Sequence, residues 1–417
     1  MKFVCAMLFA AAPALLAAAP LSLPEAQRRA VERSRQLDAH DYSVASSLAM
    51  ARAAGQLPDP VIKLGLDNVP IDGGDRFSLT RDFMTMRRVG VMQEVTRYEK
   101  RELKRERFER EAEKSLAEKQ STRAAIQRDT ALAWLDRYYL EAMLATTDEF
   151  VRASEAEVGS ADSAYRAGRG AQAEVFAVRT ALALAKDRRA EIARRQRTAR
   201  IELARWTGVE EELLAQLPDM SAVRLPQESL EAHLSGHPEI VALDKQVEVA
   251  STEARLASAA KRPDWTWEAA YQLRGPAYSN MFSVGVSIPL PWDQANRQDR
   301  EVASRLAVVE EVRARRDELL RAHVAEVRAM LEDWRAGRER QSRYGVEILP
   351  LSRERTTASL AAYGGGKSSL NEVLAARRGE FDMRLQALQL DLEVARTWAR
   401  INFLIPDDST HAQGGTR

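Results

Sequence analysis

The spacing of the proline residues limits most strongly what this chain can fold into. No proline occurs between Pro70 and Pro218, and the second half has similar gaps on both sides of Pro350. Because proline removes a backbone donor and breaks helices, these gaps permit very long helices. A continuous helix from Arg97 to Ala167 would be roughly 100 Å long at a rise of 1.5 Å per residue.

Apolar residues within these gaps recur at helical spacing, and arginine, glutamate, lysine and glutamine occupy the other helix faces. The apolar positions are Ile126, Trp134, Tyr138 and Met143 in the first half, and Val324, Val327, Leu331, Trp334, Leu385, Leu388 and Leu392 in the second. Narrow stripes of this kind seat a helix against its neighbours in a coiled-coil-like layer. Alone, they fit a cytoplasmic coiled coil equally well.

Pairs of segments with alternating apolar and polar residues break the helical pattern once in each half of the chain. The clearer pair covers 265–273 and 282–288, separated by a Gly275-Pro276 turn. The weaker pair covers 62–67 and 89–95. One apolar and one polar face, over about nine residues per strand, is typical of a membrane barrel. An ordinary hairpin packed on a helix is the alternative.

Four strands are too few to close a barrel, since even small barrels need about eight. An open sheet edge cannot face lipid, because its backbone amides would stay without hydrogen-bond partners. If the strands lie in a membrane, the chain must therefore oligomerise, and each copy must contribute a sector. After the N-terminal segment, no part of the sequence is apolar enough to cross a bilayer as a helix.

The two halves of the chain resemble each other, residues 21–208 with residues 225–404. Val89-Gly90-Val91 matches Val284-Gly285-Val286, and a Pro-Asp pair precedes the first strand in both halves. The run from Ala164 to Gly168, followed by Glu174, matches the run from Ala362 to Gly366, followed by Glu372. Because the matches share order and spacing, they indicate a tandem duplication.

The first nineteen residues are predicted to be a secretion signal, with Lys2, an apolar stretch over 3–16 and small residues at 17–19. The only cysteine, Cys5, lies in this segment, so the mature chain, residues 20–405, would have no disulfide. Residues 406–417 are predicted to be a disordered tail. The 62 basic and 61 acidic residues give a net charge of +1, which argues against nucleic-acid binding.

A secretion signal, a tandem repeat, two strands per repeat and long helices together resemble the TolC-type outer-membrane efflux proteins. The runs at 164–168 and 362–366, with Glu174 and Glu372 after them, look like the family's helix–turn–helix tips at the periplasmic entrance. Residues 90–95, followed by 100–103, look most like the heavy-metal export branch. The resemblance implies a mainly α protein. Its long antiparallel helical hairpins would form an α-barrel, and four strands per protomer would contribute to a shared transmembrane β-barrel.

The resemblance also implies a function and a set of partners. The chain would be the outer-membrane channel of a tripartite efflux system, a passive exit duct across the periplasm and the outer membrane, without enzymatic activity or cofactor. It would form a homotrimer in outer-membrane lipid and work with a periplasmic adaptor and an inner-membrane resistance-nodulation-division pump. A periplasmic adaptor would need a lipoyl-like β-domain, and a coiled-coil structural protein would keep the first nineteen residues; both stay open as alternatives.

The tip residues are the candidate functional site, a gate at the periplasmic entrance. The candidates are Tyr165, Gly168, Glu174, Tyr363, Gly366, Lys367 and Glu372. The glycines would allow the chain to reverse between two helices. In a symmetric assembly the two glutamates would ring the entrance with carboxylates, and acidic rings favour cations. A solvated glutamate on a helix face is the alternative.

Two weaker candidates concern metal binding, and the sequence otherwise contains no catalytic constellation. His233 and His237 are four residues apart and could share a helix face, although Pro238 favours a helix boundary there. Met84 and Met86 could offer soft sulfur ligands, although a loop and a strand are the simpler placement.

Overall fold

The computed structural model describes residues 20–225 and 230–406, which contain nine α-helices, one π-helical turn and four β-strands. The predicted secretion signal and residues 407–417 of the predicted tail lie outside the described residues. Among the described helices, none is both long and apolar enough to cross a membrane. The elements are α1 (Leu23–Glu32), α2 (Arg35–Ala54), β1 (Val61–Asp67), β2 (Met86–Val95), α3 (Tyr98–Arg166), α4 (Gln172–Thr207), α5 (Leu230–Leu234), α6 (Pro238–Ala260), β3 (Trp265–Leu273), β4 (Met281–Ser287), α7 (Gln298–Arg343), α8 (Leu349–Gly364) and α9 (Leu370–Asn402).

The long proline-free helix predicted in the first half is α3, a single helix of 69 residues. Its counterpart in the second half is divided into α7 with 46 residues, a π-helical turn at Tyr344–Ile348 and α8 with 16 residues. Pro350 is the second residue of α8. Because its ring lacks an N–H and crowds the carbonyl four residues earlier, a wider turn before it lets the helix continue.

The four strands form one antiparallel sheet in the order β1-β2-β3-β4. Its register brings apolar side chains into rows across the sheet. Leu64 lies opposite Val89, Val89 opposite Tyr271, and Tyr271 opposite Phe282. The neighbouring row contains Ile62, Val91, Ala269 and Val284. The alternation predicted from the sequence is therefore confirmed in both halves.

The two faces of the sheet differ in chemistry. Large apolar side chains are exposed on one face, with Ile62 at 73% and Phe282 at 69% of their maximal accessibility. The other face carries ion pairs, in which Lys63 Nζ lies 2.6 Å from Glu268 Oε2 and Arg88 Nε lies 3.3 Å from Asp67 Oδ2. Contiguous apolar surface of this kind needs an apolar partner to remove it from water.

The chain divides into two compact units, each containing segments of both predicted repeats. The sheet unit comprises residues 35–123 and 230–327, with all four strands. Its helices α6 and α7 pack through Ala250, Ala254 and Val309. Cross-helix ion pairs, such as Arg107 with Glu253 at 2.7 Å, join α3 to α6.

The helical unit comprises residues 20–34, 124–225 and 328–406 and contains the largest apolar core. Trp134 of α3 is fully buried in this core, and its indole Nε1 donates to the carbonyl of Leu21 at 3.0 Å. The N–H of Leu21 donates to the carbonyl of Leu213 at 2.7 Å. Trp398 of α9 similarly donates to the carbonyl of Ala222 at 2.9 Å. Indoles from two helices therefore anchor the irregular segments to the core.

We predict that Trp134→Ala lowers the free energy of unfolding by about 3–5 kcal/mol, because it leaves a large cavity in a close-packed core. Trp134→Phe keeps most of the ring and loses the hydrogen bond to Leu21, so we expect a loss of only about 1 kcal/mol. Denaturant unfolding of the detergent-purified protein, followed by circular dichroism, measures both. Equal stability of the two variants would contradict this role of the indole.

Candidate functional site: the two helix–turn–helix tips

The first tip joins α3 to α4 through a left-handed glycine. Gly168 has φ of 73°, and its N–H donates to the carbonyl of Tyr165 at 2.9 Å. The N–H of Arg169 donates to the carbonyl of Ala164 at 2.9 Å. These two bonds are the Schellman arrangement that ends a helix and satisfies its last carbonyls. Gly168 is required here because a side chain disfavours this backbone conformation.

The second tip, between α8 and α9, repeats the first bond for bond. Gly366 has φ of 72°, and its N–H donates to the carbonyl of Tyr363 at 3.0 Å. The N–H of Lys367 donates to the carbonyl of Ala362 at 2.8 Å. Gly365 has an ordinary φ of −86°, so the positive φ falls on Gly366 alone of the three consecutive glycines.

The two candidate acidic residues occupy the same position in their helices, the third residue of α4 and of α9. The Glu174 carboxylate accepts from the N–H of Ala171 at 3.3 Å. The Glu372 carboxylate accepts a hydrogen bond from the Ser368 hydroxyl at 2.5 Å, and the backbone N–H of Glu372 donates to Ser369 Oγ at 3.3 Å. Both carboxylates therefore lie at a helix N-terminus, where the helix dipole favours negative charge.

An apolar cluster holds the returning helices together near the tips. Ala161 of α3 packs against Val175 and Val178 of α4, and Leu370 and Leu374 of α9 pack against this group. The helix residues next to the two tips therefore pack together in the structure.

Ion pairs lie among the same helices. Arg179 pairs with Asp162 at 3.1 Å, and Arg377 pairs with Glu157. Burial raises the pKa of Glu157, although the neighbouring Arg377 guanidinium opposes this effect. The Arg377–Glu157 pair lies in the wall of a cleft of about 660 Å³ between α3, α4 and α9. Its lining includes the apolar residues Phe150, Leu184 and Phe381 and the charged residues Asp187, Arg188 and Asp382.

The remaining candidates are placed as follows. Tyr165 and Tyr363 lie in the last turns before the glycines and are partly exposed, and Lys367 is an exposed residue after the second glycine. Met84 lies in the loop between β1 and β2, and Met86 is the first residue of β2. A role for either sulfur in metal binding stays a prediction.

The structure groups His237 with a residue that sequence reasoning missed. Its ring lies 4.6 Å from the ring of His323, and Glu239 completes a group of three possible metal ligands that does not include His233. His323 is on α7, far from His237 in sequence, so no spacing motif could have found it. The capping roles of Ser368 and Ser369 were also missed, although a serine before a glutamate three positions later is a recognisable helix-start signal.

The described geometry combines a four-stranded antiparallel sheet, long helices and two equivalent helix–turn–helix tips. Residues 213–405 match the model of the outer membrane efflux protein family. No curated protein sequence matches the chain significantly.

Solved structures share the fold over nearly the whole chain. The outer-membrane channel OprN superposes with a TM-score of 0.78 at 16% identity, over 92% of this chain and 90% of OprN. CusC, whose structures concern transmembrane channel formation, superposes with a TM-score of 0.76 at 15% identity, over 91% of both chains. The outer membrane protein VceC from Vibrio cholerae superposes with a TM-score of 0.74 at 17% identity, over 92% of this chain and 95% of VceC.

The family match and the shared fold confirm the resemblance that the sequence indicated. Residues 213–405 thus match the outer membrane efflux protein family, and nearly the whole chain has the fold of solved outer-membrane channels. The fold class predicted from the sequence is thereby confirmed.

We predict that Gly366→Ala destabilises the second tip by about 1 kcal/mol, because an L-residue there must adopt the left-handed conformation. Hydrogen exchange of the backbone amides over 360–375 should then become roughly fivefold faster through local opening. Gly365→Ala is the matched control: its φ is negative and an added Cβ meets only ordinary contacts, so exchange should stay unchanged. Similar exchange in both variants would refute the assignment of the positive φ to Gly366.

Proposed function

We propose that three copies of this chain form the outer-membrane channel of a tripartite efflux system. The channel is a passive exit duct across the periplasm and the outer membrane, without catalytic activity of its own. An inner-membrane resistance-nodulation-division pump supplies the energy, and a periplasmic adaptor connects the pump to the tips. The resemblance of residues 90–95 and 100–103 to the heavy-metal export branch favours heavy-metal cations as the cargo.

The observation that carries this proposal is the sheet with its two free edges. Within the described chain β1 pairs only with β2, and β4 only with β3, so the outer edges of both strands lack strand partners. The exposed apolar rows of one face suit lipid. Because an edge in lipid must be paired, β1 of one copy joins β4 of the next, and three sectors give twelve strands.

The tips supply the second element of the proposal. Glu174 and Glu372 follow equivalent turns, so threefold symmetry places six carboxylates near the periplasmic entrance. A ring of carboxylates attracts cations and repels anions. Tyr165, Gly168, Tyr363, Gly366 and Lys367 form the turns that carry these residues, and the gate role of all seven is part of this proposal.

The alternative of a periplasmic adaptor finds less support. An adaptor needs a lipoyl-like domain of short strands, whereas the strands of the described residues belong to one four-stranded sheet with an exposed apolar face. A coiled-coil structural protein would not require a sheet of this kind. The likeness to channel structures over nine-tenths of the chain also favours the channel.

The edge pairing can be tested by disulfide cross-linking between copies. We expect a cysteine at Ile62 of β1, combined in turn with a cysteine at Phe282, Val284 or Val286 of β4, to give covalent trimers in at least one combination. Residues opposite each other in antiparallel strands are close enough for a disulfide. Denaturing electrophoresis without reductant, on protein oxidised in its native membrane, detects the trimers.

The matched control uses the two inner strands. Val91 and Ala269 lie opposite each other within one chain, so cysteines at both positions should form an internal disulfide and leave a monomer. All variants carry Cys5→Ser, because Cys5 is the natural cysteine of the chain. Monomers alone from every β1–β4 combination, with the internal control oxidised, would show that the edges do not pair between copies.

The acidic ring can be tested in planar lipid bilayers. We expect the wild-type channel to prefer cations, and Glu174→Gln with Glu372→Gln to reduce that preference, because six charges are removed from the entrance. Reversal potentials in a salt gradient measure the preference. Glutamine keeps an oxygen that accepts the capping hydrogen bonds, so the tips should stay folded. The control is Glu354→Gln, which changes an exposed residue within α8. If this variant lowered the preference for cations as much as the double variant does, a role specific to the ring would be contradicted.

A further inference from the structure

The sheet unit contains a group of possible metal ligands that the proposed channel function does not use. His237 and Glu239 lie at the start of α6, and His323 lies on the facing helix α7. One ligand-capable atom from each of the three residues lies within 4.8 Å of the others. Among the described residues, two histidines and a carboxylate thus converge on one point.

Contacts among the three residues hold their side chains near one another. The Nε2 atom of His323 lies 3.3 Å from Glu239 Oε2. His237 is the N-cap of α6, and its Nδ1 accepts from the N–H of Glu239 at 3.3 Å. The two imidazole rings are 4.6 Å apart and nearly perpendicular, at 87°. The ligands are therefore largely positioned before any ion arrives.

We propose that His237, Glu239 and His323 bind a divalent transition-metal ion of the zinc class. Two imidazole nitrogens and one carboxylate oxygen are a donor set that Zn²⁺ accepts with a water as the fourth ligand. The ion lies between His323 Nε2 and the Glu239 carboxylate and replaces their direct contact. One lone pair of His237 completes the set of protein ligands.

The burial of the group fits an ion that enters from one side. His237 is only 6% exposed, and the His323 side chain is 15% exposed. The Glu239 side chain is 51% exposed, and it also borders a cleft of about 440 Å³ next to His40 and Glu118. Solvent therefore reaches the site through the carboxylate, while the imidazoles form its inner wall.

The position of the ligands at the start of α6 makes the Glu239 carboxylate the most important ligand for binding the ion. A helix N-terminus carries partial positive charge and disfavours a cation. The carboxylate of Glu239, in the first turn of the same helix, offsets this charge. If His237 offers Nδ1 to the ion, the long hydrogen bond from the N–H of Glu239 is lost in exchange. We therefore expect loss of Glu239 to weaken binding more than loss of either histidine.

This inference does not rest on the export function. The site lies in the sheet unit, on α6 and α7, whereas the tips lie in the helical unit. A metal ion there links two helices of the protomer.

The experiment is a zinc titration of the full-length chain, purified in detergent without a histidine tag and stripped of metal by a chelator. Competition with a chromogenic chelator gives the affinity and the stoichiometry. We expect one Zn²⁺ per chain in the wild type. His323→Gln and Glu239→Gln should each weaken binding by at least about tenfold, because even groups that only support a ligand change affinity by about 10- to 100-fold.

Two further histidines provide matched controls. His233→Gln removes the residue that sequence spacing pairs with His237, and His40→Gln removes the histidine of the neighbouring cleft, where it contacts Thr122 at 2.9 Å. Both variants should bind zinc as the wild type does. Circular dichroism and oligomer size without metal verify folding, and the half-exposed Glu239 carries the test if His323→Gln misfolds.

Two results would overturn the proposal. The first is a wild-type chain that binds no stoichiometric zinc. The second is binding that survives in both His323→Gln and Glu239→Gln, since that would place the ion elsewhere.

Discussion

Among the described residues, the outer edges of β1 and β4 have no strand partner, and the proposed assembly depends on the backbone groups of these edges. In water these N–H and C=O groups would be hydrated, but in hydrocarbon each unpaired group costs several kcal/mol. One face of the sheet presents apolar rows, of which Ile62, Leu64, Phe282 and Val284 are the most exposed members. A sheet that buries this face in lipid cannot leave its edges open. In the proposed channel, assembly is therefore a requirement of the strands themselves.

The turns at the two tips resemble each other more closely than the helices that precede them. Both tips use the same pair of hydrogen bonds, the same left-handed glycine and a glutamate as third residue of the next helix. The helices before them differ, because Pro350 divides the second and nothing interrupts the first. A long helix tolerates a local π-turn, since the lost hydrogen bonds are few and the direction continues. A tip that lost its glycine would have no equivalent way to reverse the chain.

Much of the fold could be predicted from the sequence, because the patterns behind it are local. The spacing of the prolines predicted the extent of α3, and the alternation of apolar and polar residues predicted the strands to within a few residues. The π-helical turn was missed because it depends on how the chain accommodates Pro350, not on the composition of 344–348. The glycines at the tips were recognised as turn residues, but only backbone geometry separates Gly366 from Gly364 and Gly365.

The pairing of His237 with His323 shows the limit of such reasoning. The spacing of His233 and His237 allowed a shared helix face, but Pro238 favoured a helix boundary there. The structure has that boundary: α5 ends at Leu234 and α6 begins at Pro238, so His237 becomes a cap. Its ring then faces α7, and the partner is set by helix packing between distant segments. Long-range contacts of this kind leave no periodic trace in a single sequence.

The capping positions of Glu174 and Glu372 bear on how an acidic ring could work. A carboxylate has two oxygens, and in each residue one of them accepts a local hydrogen bond at the start of its helix. The side chain is thereby held near the turn, and its second oxygen remains available to solvent or an ion. Capping and the proposed ring are therefore compatible, because the backbone turn that reverses the chain also holds the carboxylate in place. A glutamate further along the helix would lack these capping hydrogen bonds, so its side chain would not be held at the turn.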